Sequence, residues 1–221
     1  MLVLAVDTSS DACQAALVDG DFVLAARSEP MSRGHQERLA PMVEAVMGEA
    51  KRTFAEVDRI AVTTGPGSFT GLRVGLAFAT GLGMALNRPA LGFATLEALA
   101  ASGPNAGLVA AAIDARRGDV YLQLFQDGAP VAPPEAVGLE AAAGRIEVLG
   151  GGSPGRLVGS GAPLLSKAIP GAAVDARGWA APEALARLAA AADPVRRPLT
   201  PTYLRSPDAK LPGGVDPWAR A

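Results

Sequence analysis

The sequence predicts an α/β protein built as two related halves, and two observations carry that prediction. The first thirty residues read as three strands joined by tight turns before any helix, and the unit they begin closes as β-β-β-α-β-α within about 100 residues. From Leu108 the pattern restarts, with two apolar strands around a charged turn. The halves are placed at residues 1–105 and 106–221, the second less regular.

In order, residues 2–6 form an apolar run, 12–18 a second strand ending at the hairpin signal Asp19-Gly20, and 22–28 a third. Leu39, Met42, Val43, Val46, Met47 and Ala50 share one helical face. Pro41 sits early in that helix, so either it begins near Ala40 or its first turns are kinked. A strand at 59–64, a Gly-rich loop, a long helix at 69–86 and a strand at 90–94 follow, with Thr95 as an N-cap for a short helix. Strands are expected at 108–113, 119–126, near 146–149 and near 157–160, and helices near 163–168 and 182–191. Residues 127–200 carry no distinctive motif.

Composition narrows the function classes. Hydrophobic residues make up 49% and mean hydropathy is +0.24, so disorder is excluded; aromatics are only 5%, so the core is built from Ala, Val and Leu. The net charge of −2 and pI of about 5.5 argue against a strong direct grip on a nucleic-acid backbone. Local patches around Arg116 and Arg117 or Arg196 and Arg197 stay open. The single cysteine, Cys13, lies in a predicted strand and reads as a small buried hydrophobe. The start MLVLAVDTSS lacks a basic leader pattern and reads as a strand, so a cytoplasmic location is expected.

The segment FTGLRVGLAFATGLGMAL at 69–86 carries one charge, Arg73. Its setting among alternating elements reads as a soluble helix, and a helix apolar all round must be covered all round. A sheet covers one face. The small residues Gly71, Gly75, Ala79 and Gly83 are expected to face another helix, either the one at 39–50, a second chain, or both.

Four places could carry chemistry. The block Gly65-Pro-Gly67-Ser68-Phe69-Thr-Gly71-Leu-Arg73 is either a phosphate cradle at a helix N-terminus or a tight packing turn, and it lacks the Walker lysine. Asp7-Thr8-Ser9-Ser10 either holds a metal-bound phosphate or satisfies its own backbone. His35, the one histidine, excludes any multi-His metal site and reads as a surface residue at a helix entry. Asp114-Ala-Arg116-Arg117-Gly-Asp119-Val-Tyr121 is either a solvated turn or a cleft wall.

Taken together, LAVDTSSDACQAAL, His35 ahead of Leu39-Ala40-Pro41, GPGSFTGLRVG, DARRGDVY and Pro201-Thr202-Tyr203-Leu204-Arg205 resemble the TsaB (YeaZ) family, in family order from residue 2 to 205. The resemblance implies the actin/Hsp70/sugar-kinase-like (ASKHA) fold in two halves. It implies a non-catalytic partner of TsaD, joined by the ATPase TsaE, in the complex that makes N6-threonylcarbamoyladenosine in tRNA from an adenylate supplied by TsaC. No intrinsic cofactor is implied: ATP or ADP and metal belong to the partner subunits, and tRNA is met through the complex. The chain's own nucleotide site would be vestigial, at Asp7, Thr8, Ser9, Gly65, Gly67 and Ser68. The two long N-terminal helices would form the interface with TsaD, or with a second copy in its absence. The residues expected there are Leu39, Met42, Val43, Val46, Met47, Gly71, Gly75, Phe78, Ala79 and Leu82. An active phosphotransferase of the same fold and a protease are the rival classes, and the second finds no nucleophile–base set here.

Overall fold

The computed structural model describes residues 1–205 of the 221-residue chain. Strands β1 (Leu2–Ser10), β2 (Ala12–Asp19) and β3 (Phe22–Pro30) make an antiparallel meander, and β4 (Arg59–Gly65) and β5 (Ala90–Ala94) add in parallel beside β1. The first sheet therefore runs β3-β2-β1-β4-β5. Helix α1 (His35–Glu49) leads into β4, α2 (Phe69–Leu86) joins β4 to β5, and α3 (Thr95–Ala101) follows.

The second sheet repeats that plan. Strands β6 (Leu108–Arg116) and β7 (Asp119–Gln126) form a hairpin, with β8 (Ala129–Pro130) and β9 (Glu135–Gly138) on the outer edge of β7. Helix α4 (Leu139–Gly150) precedes β10 (Arg156–Val158), α5 (Ala162–Leu165) precedes β11 (Ala173–Asp175), and α6 (Pro182–Ala191) closes the unit. Both β10 and β11 are parallel, in the order β11-β10-β6-β7-β8. This is an α/β arrangement of two related sheet-and-helix halves, each with a meander or hairpin and parallel strands beside it.

The apolar run in β1 has a direct cause, since both faces of its sheet are covered. Leu2, Leu4 and Val6 pack under α1 and α2, while Val3 and Ala5 pack toward α3 and α6. The halves interlock there. Helix α6 lies on β1, β2 and β4 of the first sheet, and α3 lies on β6 of the second. Each crossing helix is tied by an arginine at the start of a parallel strand. Arg59 of β4 donates to the carbonyls of Ala189 and Ala192 at the end of α6, both at 2.7 Å. Arg156 of β10 donates to Ala100 at the end of α3. A guanidinium at a helix C-terminus satisfies carbonyls left over by the helix and meets the negative end of its dipole.

Several expectations need correction. Residues 146–149 belong to α4, not to a strand: Ala142 and Ile146, one turn apart, face the second sheet, and Gly151 ends the helix with φ 67°. The first helix runs unbroken from His35 with Pro41 inside it. The side chain of Pro41 is exposed, and its position early in the helix limits the cost of the lost N–H. Thr95 is the first helical residue and Ala94 the N-cap. The helix expected near 163–168 spans only Ala162–Leu165. His35 is buried at 5% exposure, its Nε2 without a hydrogen-bond partner, so it is no surface residue.

The largest correction concerns the small-residue stripe of α2. Gly71, Gly75 and Ala79 face the first sheet, not a neighbouring helix. A Cβ added at Gly71 would lie 1.9 Å from the Thr8 carbonyl oxygen, and one at Gly75 would lie 2.7 Å from Thr8 Oγ1. The stripe exists so that a helix can sit tightly on the end of β1. Leu39, Met42, Val43, Val46 and Met47 likewise fill the core beneath α1.

Candidate functional site

The ends of β1 and β6 face one another across a cleft of about 350 Å³ between the halves. Each strand end is shaped by the same local device. Asp7 Oδ1 accepts from Ser9 N at 2.7 Å, and Asp114 Oδ1 accepts from Arg116 N at 2.8 Å. An aspartate that bonds the amide two residues on bends the chain into its hairpin without help from elsewhere.

Asp7 itself is sealed beneath the cleft. Its Oδ1 also accepts from Thr63 Oγ1 at 2.6 Å, and its Oδ2 is buried with no hydrogen-bond partner. Thr8 is occupied too, donating from Oγ1 to the Gly71 carbonyl at 2.7 Å. Of the six residues expected at a vestigial phosphate site, Ser9, Gly67 and Ser68 line the cleft, while Asp7, Thr8 and Gly65 lie outside its lining.

The glycine-rich loop is a seam between α2 and β1. Ser68 N donates to Ser9 O at 2.7 Å, and Ser68 Oγ caps α2 by accepting from Gly71 N at 3.2 Å. A Cβ at Gly67 would meet Ser9 O at 2.1 Å. The packing role anticipated for this loop is therefore present in the geometry. The α2 N-terminus still points its dipole toward a cleft bordered by hydroxyls and by Arg116, a setting suited to a small polar or anionic group. Arg116 is 76% exposed and lies 3.5 Å from Asp114 and 3.9 Å from Asp11, so the charged turn forms one wall of the cleft.

Thr95, Tyr121 and Ser160 also line the cleft. Thr95 Oγ1 donates to Ser9 Oγ at 3.1 Å, and Ser160 Oγ accepts from Asp114 N at 3.1 Å. Sequence reading missed Thr95 and Ser160 as site residues, because single hydroxyls reach the cleft only when two distant segments fold together. Among the described residues, no group of three or more His, Cys, Asp and Glu side chains is placed to hold a metal ion.

A second feature lies on the outer surface of the first half. Only 33% of the residues of α2 are buried, although it is long and apolar enough by length and composition to cross a membrane. Turned away from its glycine stripe are Thr70, Arg73, Val74, Ala77, Phe78 and Gly81. Between α1 and α2 this face opens a groove of about 510 Å³, with Ala40, Phe69, Arg73, Val74, Ala77 and Phe78 on its walls. Of the residues expected at an interface, Phe78 and Leu39 reach this groove, and Leu82 is half-buried one turn further along α2. The exposed apolar face is thus real but displaced around the helix from its expected position.

Comparison with known proteins gives the chain its relatives. A family model described as TsaD, tRNA N6-adenosine threonylcarbamoyltransferase, matches residues 28–141. An uncharacterised protein of Mycobacterium bovis is 36% identical over 213 residues, covering 94% of this chain and 93% of that protein. The tRNA threonylcarbamoyladenosine biosynthesis protein TsaB of Escherichia coli is 37% identical over 129 residues, 57% of this chain and 55% of that protein. A crystal structure from Pseudomonas aeruginosa, described as similar to the peptidase YeaZ, superposes with a TM-score of 0.75 at 30% identity, covering 92% of this chain and 99% of that one.

Proposed function

This chain belongs to the TsaB/YeaZ family, and from that premise we propose that it is an accessory subunit in the synthesis of threonylcarbamoyladenosine in tRNA, one that docks the catalytic subunit TsaD and does no chemistry of its own. The observation that carries this reading is the exposed apolar groove between α1 and α2. A contiguous apolar surface on a folded chain favours a partner. The TsaD family model matches residues 28–141, which include all of α1 and α2. A partner built on that model carries a like pair of helices, so the two pairs meet as a helical bundle. A second copy of this chain offers the same face when TsaD is absent.

The absence of own chemistry is supported by how the candidate groups are spent. Asp7 has one carboxylate oxygen committed to Ser9 and Thr63, His35 is buried at the head of α1, and burial pushes the Cys13 thiol up to about 11. The nucleotide and metal required for transfer are assigned to the partner subunits, with TsaE joining when ATP is bound, and tRNA is met through the assembled complex in the cytoplasm.

Substitution at the groove tests the reading. Ala77→Arg places a long cation on the exposed face of α2 and leaves the core untouched. The folded variant should lose at least tenfold in affinity for the cognate TsaD by pull-down and calorimetry, with circular dichroism and Tm unchanged. Undiminished binding would remove the α1/α2 face from the interface. Gly75→Glu and Ala79→Arg, by contrast, should unfold the chain, because both positions face the sheet.

A further inference from the structure

After α6 the chain does not stop at the second half. It returns to the first and then crosses back. Arg197 forms a bidentate ion pair with Glu97 of α3 at 2.8 and 2.9 Å, lies over the Phe93 ring at 4.5 Å, and accepts at its carbonyl from Gly92 N at 3.0 Å. Thr202 N donates to Thr64 O at 2.7 Å, at the end of β4. The ring of Tyr203 then rests against Phe69 at 5.4 Å between centroids. Two residues later Arg205 reaches the opposite half. Its Nη1 donates to Ala115 O at 2.7 Å, and its other terminal nitrogen pairs with Asp119.

The placement of these anchors matters more than their number. Ala115 lines the cleft between the halves, and Asp119 begins β7 just past the charged turn. Phe69 is the first residue of α2 and lines the groove between α1 and α2, with the Arg73 guanidinium 3.9 Å above its ring. The last anchor on the first half is therefore a side chain of the outer groove, and the next is on the far wall of the cleft. Two residues span at most about 7 Å even when fully extended, so little slack separates them.

We propose that residues 197–205 form a strap that couples occupancy of the α1/α2 groove to the opening of the interdomain cleft. Docking on the groove repositions Phe69 and Arg73, the stacked Tyr203 follows, and Arg205 transmits the shift to the β6–β7 turn. Coupling of this kind is reciprocal, so closing the cleft also changes the affinity of the groove for its occupant. The inference rests on the proposed docking of TsaD for its second half only; the tie between the halves stands on the contacts of Arg205.

The test places spin labels on Ala26→Cys in β3 and Ala141→Cys in α4, both exposed, and measures their separation by pulsed electron resonance. Cys13 does not compete for label, because it is buried with its thiol pushed up to about 11. In the chain alone, Arg205→Ala should broaden and lengthen the distance distribution, whereas Arg205→Lys, which keeps the charge toward Asp119, should shift it less. Unchanged distributions in a folded Arg205→Ala chain would overturn the strap. Cognate TsaD should then narrow the wild-type distribution but not that of Tyr203→Ala, while binding both. Binding without narrowing in wild type overturns the coupling and leaves the docking reading intact. Failure of TsaD to bind wild type removes the docking reading and the coupling together, with the Arg205 result still deciding the strap.

Discussion

The two halves share one plan and differ in how far they carry it. In the first, the helix between the two parallel strands, α2, has 18 residues and is seated on β1 through glycines; in the second its counterpart α5 has 4 residues, between strands of 3 residues each. The aspartate that bends β1 into its hairpin has a counterpart that bends β6, and the arginine that caps α6 has a counterpart that caps α3. What persists in both halves is what holds them to one another. What shrinks in the second is the outer helical layer, which in the first half carries the exposed groove. The difference teaches that the crossing helices serve the fold, whereas the long outer helix serves a surface.

That contrast can be broken experimentally, most severely at the seam of α2. Gly71→Ala should cost about 3 kcal/mol or more, since the added carbon meets the Thr8 carbonyl at 1.9 Å and neither backbone can yield cheaply. Urea unfolding measures it, and near-wild-type stability would mean that α2 is not seated directly on the end of β1. The paired arginines come next. Arg59→Ala should cost about 2 kcal/mol, because two well-placed carbonyls lose a charged donor. Arg156→Ala should cost only about half as much. Its Nε and Nη1 are buried without hydrogen-bond partners, and burial pushes its guanidinium below the usual arginine range, so removing it relieves part of what it costs to bury. Equal losses at the two sites would mean that the caps are equivalent despite their different surroundings. The smallest effect belongs to the outer layer of the second half. Gly144→Ala in α4 meets nothing within 4 Å and should stabilise the chain by up to about 1 kcal/mol through helix propensity alone. Destabilisation there would show that this face of α4 is packed rather than open.

Local pattern was sufficient wherever the cause of a structure is local. The span of α2 from Phe69 to Leu86, the strand from Ala90 to Ala94 and helix α6 from Pro182 to Ala191 were all legible, because each is bounded by its own turn or proline signals and carries a consistent period. The block Arg145–Gly150 misled because Ile-Glu-Val-Leu alternates like a strand, and only the second sheet beneath Ala142 and Ile146 turns that stretch into a helix. The cleft was half legible. Ser9, Gly67 and Ser68 stand out in glycine-rich and Asx-turn motifs, but Thr95 and Ser160 carry no motif and arrive there from 86 and 46 residues away from their partners.

Orientation is where the sequence by itself stopped. It determined that α2 has one face of small residues and one of larger apolar ones, since composition and a period of 3.6 are written in the chain. Which face meets the sheet was decided by the tertiary structure alone. The Thr8 and Ser9 carbonyls project from the end of β1, and only glycine lets a helix approach them, so the glycine stripe turned inward with Leu72 and Leu76 beside it, and Arg73, Val74, Ala77 and Phe78 were left on the outer face. The same holds for Tyr203 and Arg205: their motif can be read, but the two halves they join exist as neighbours only after the chain has folded.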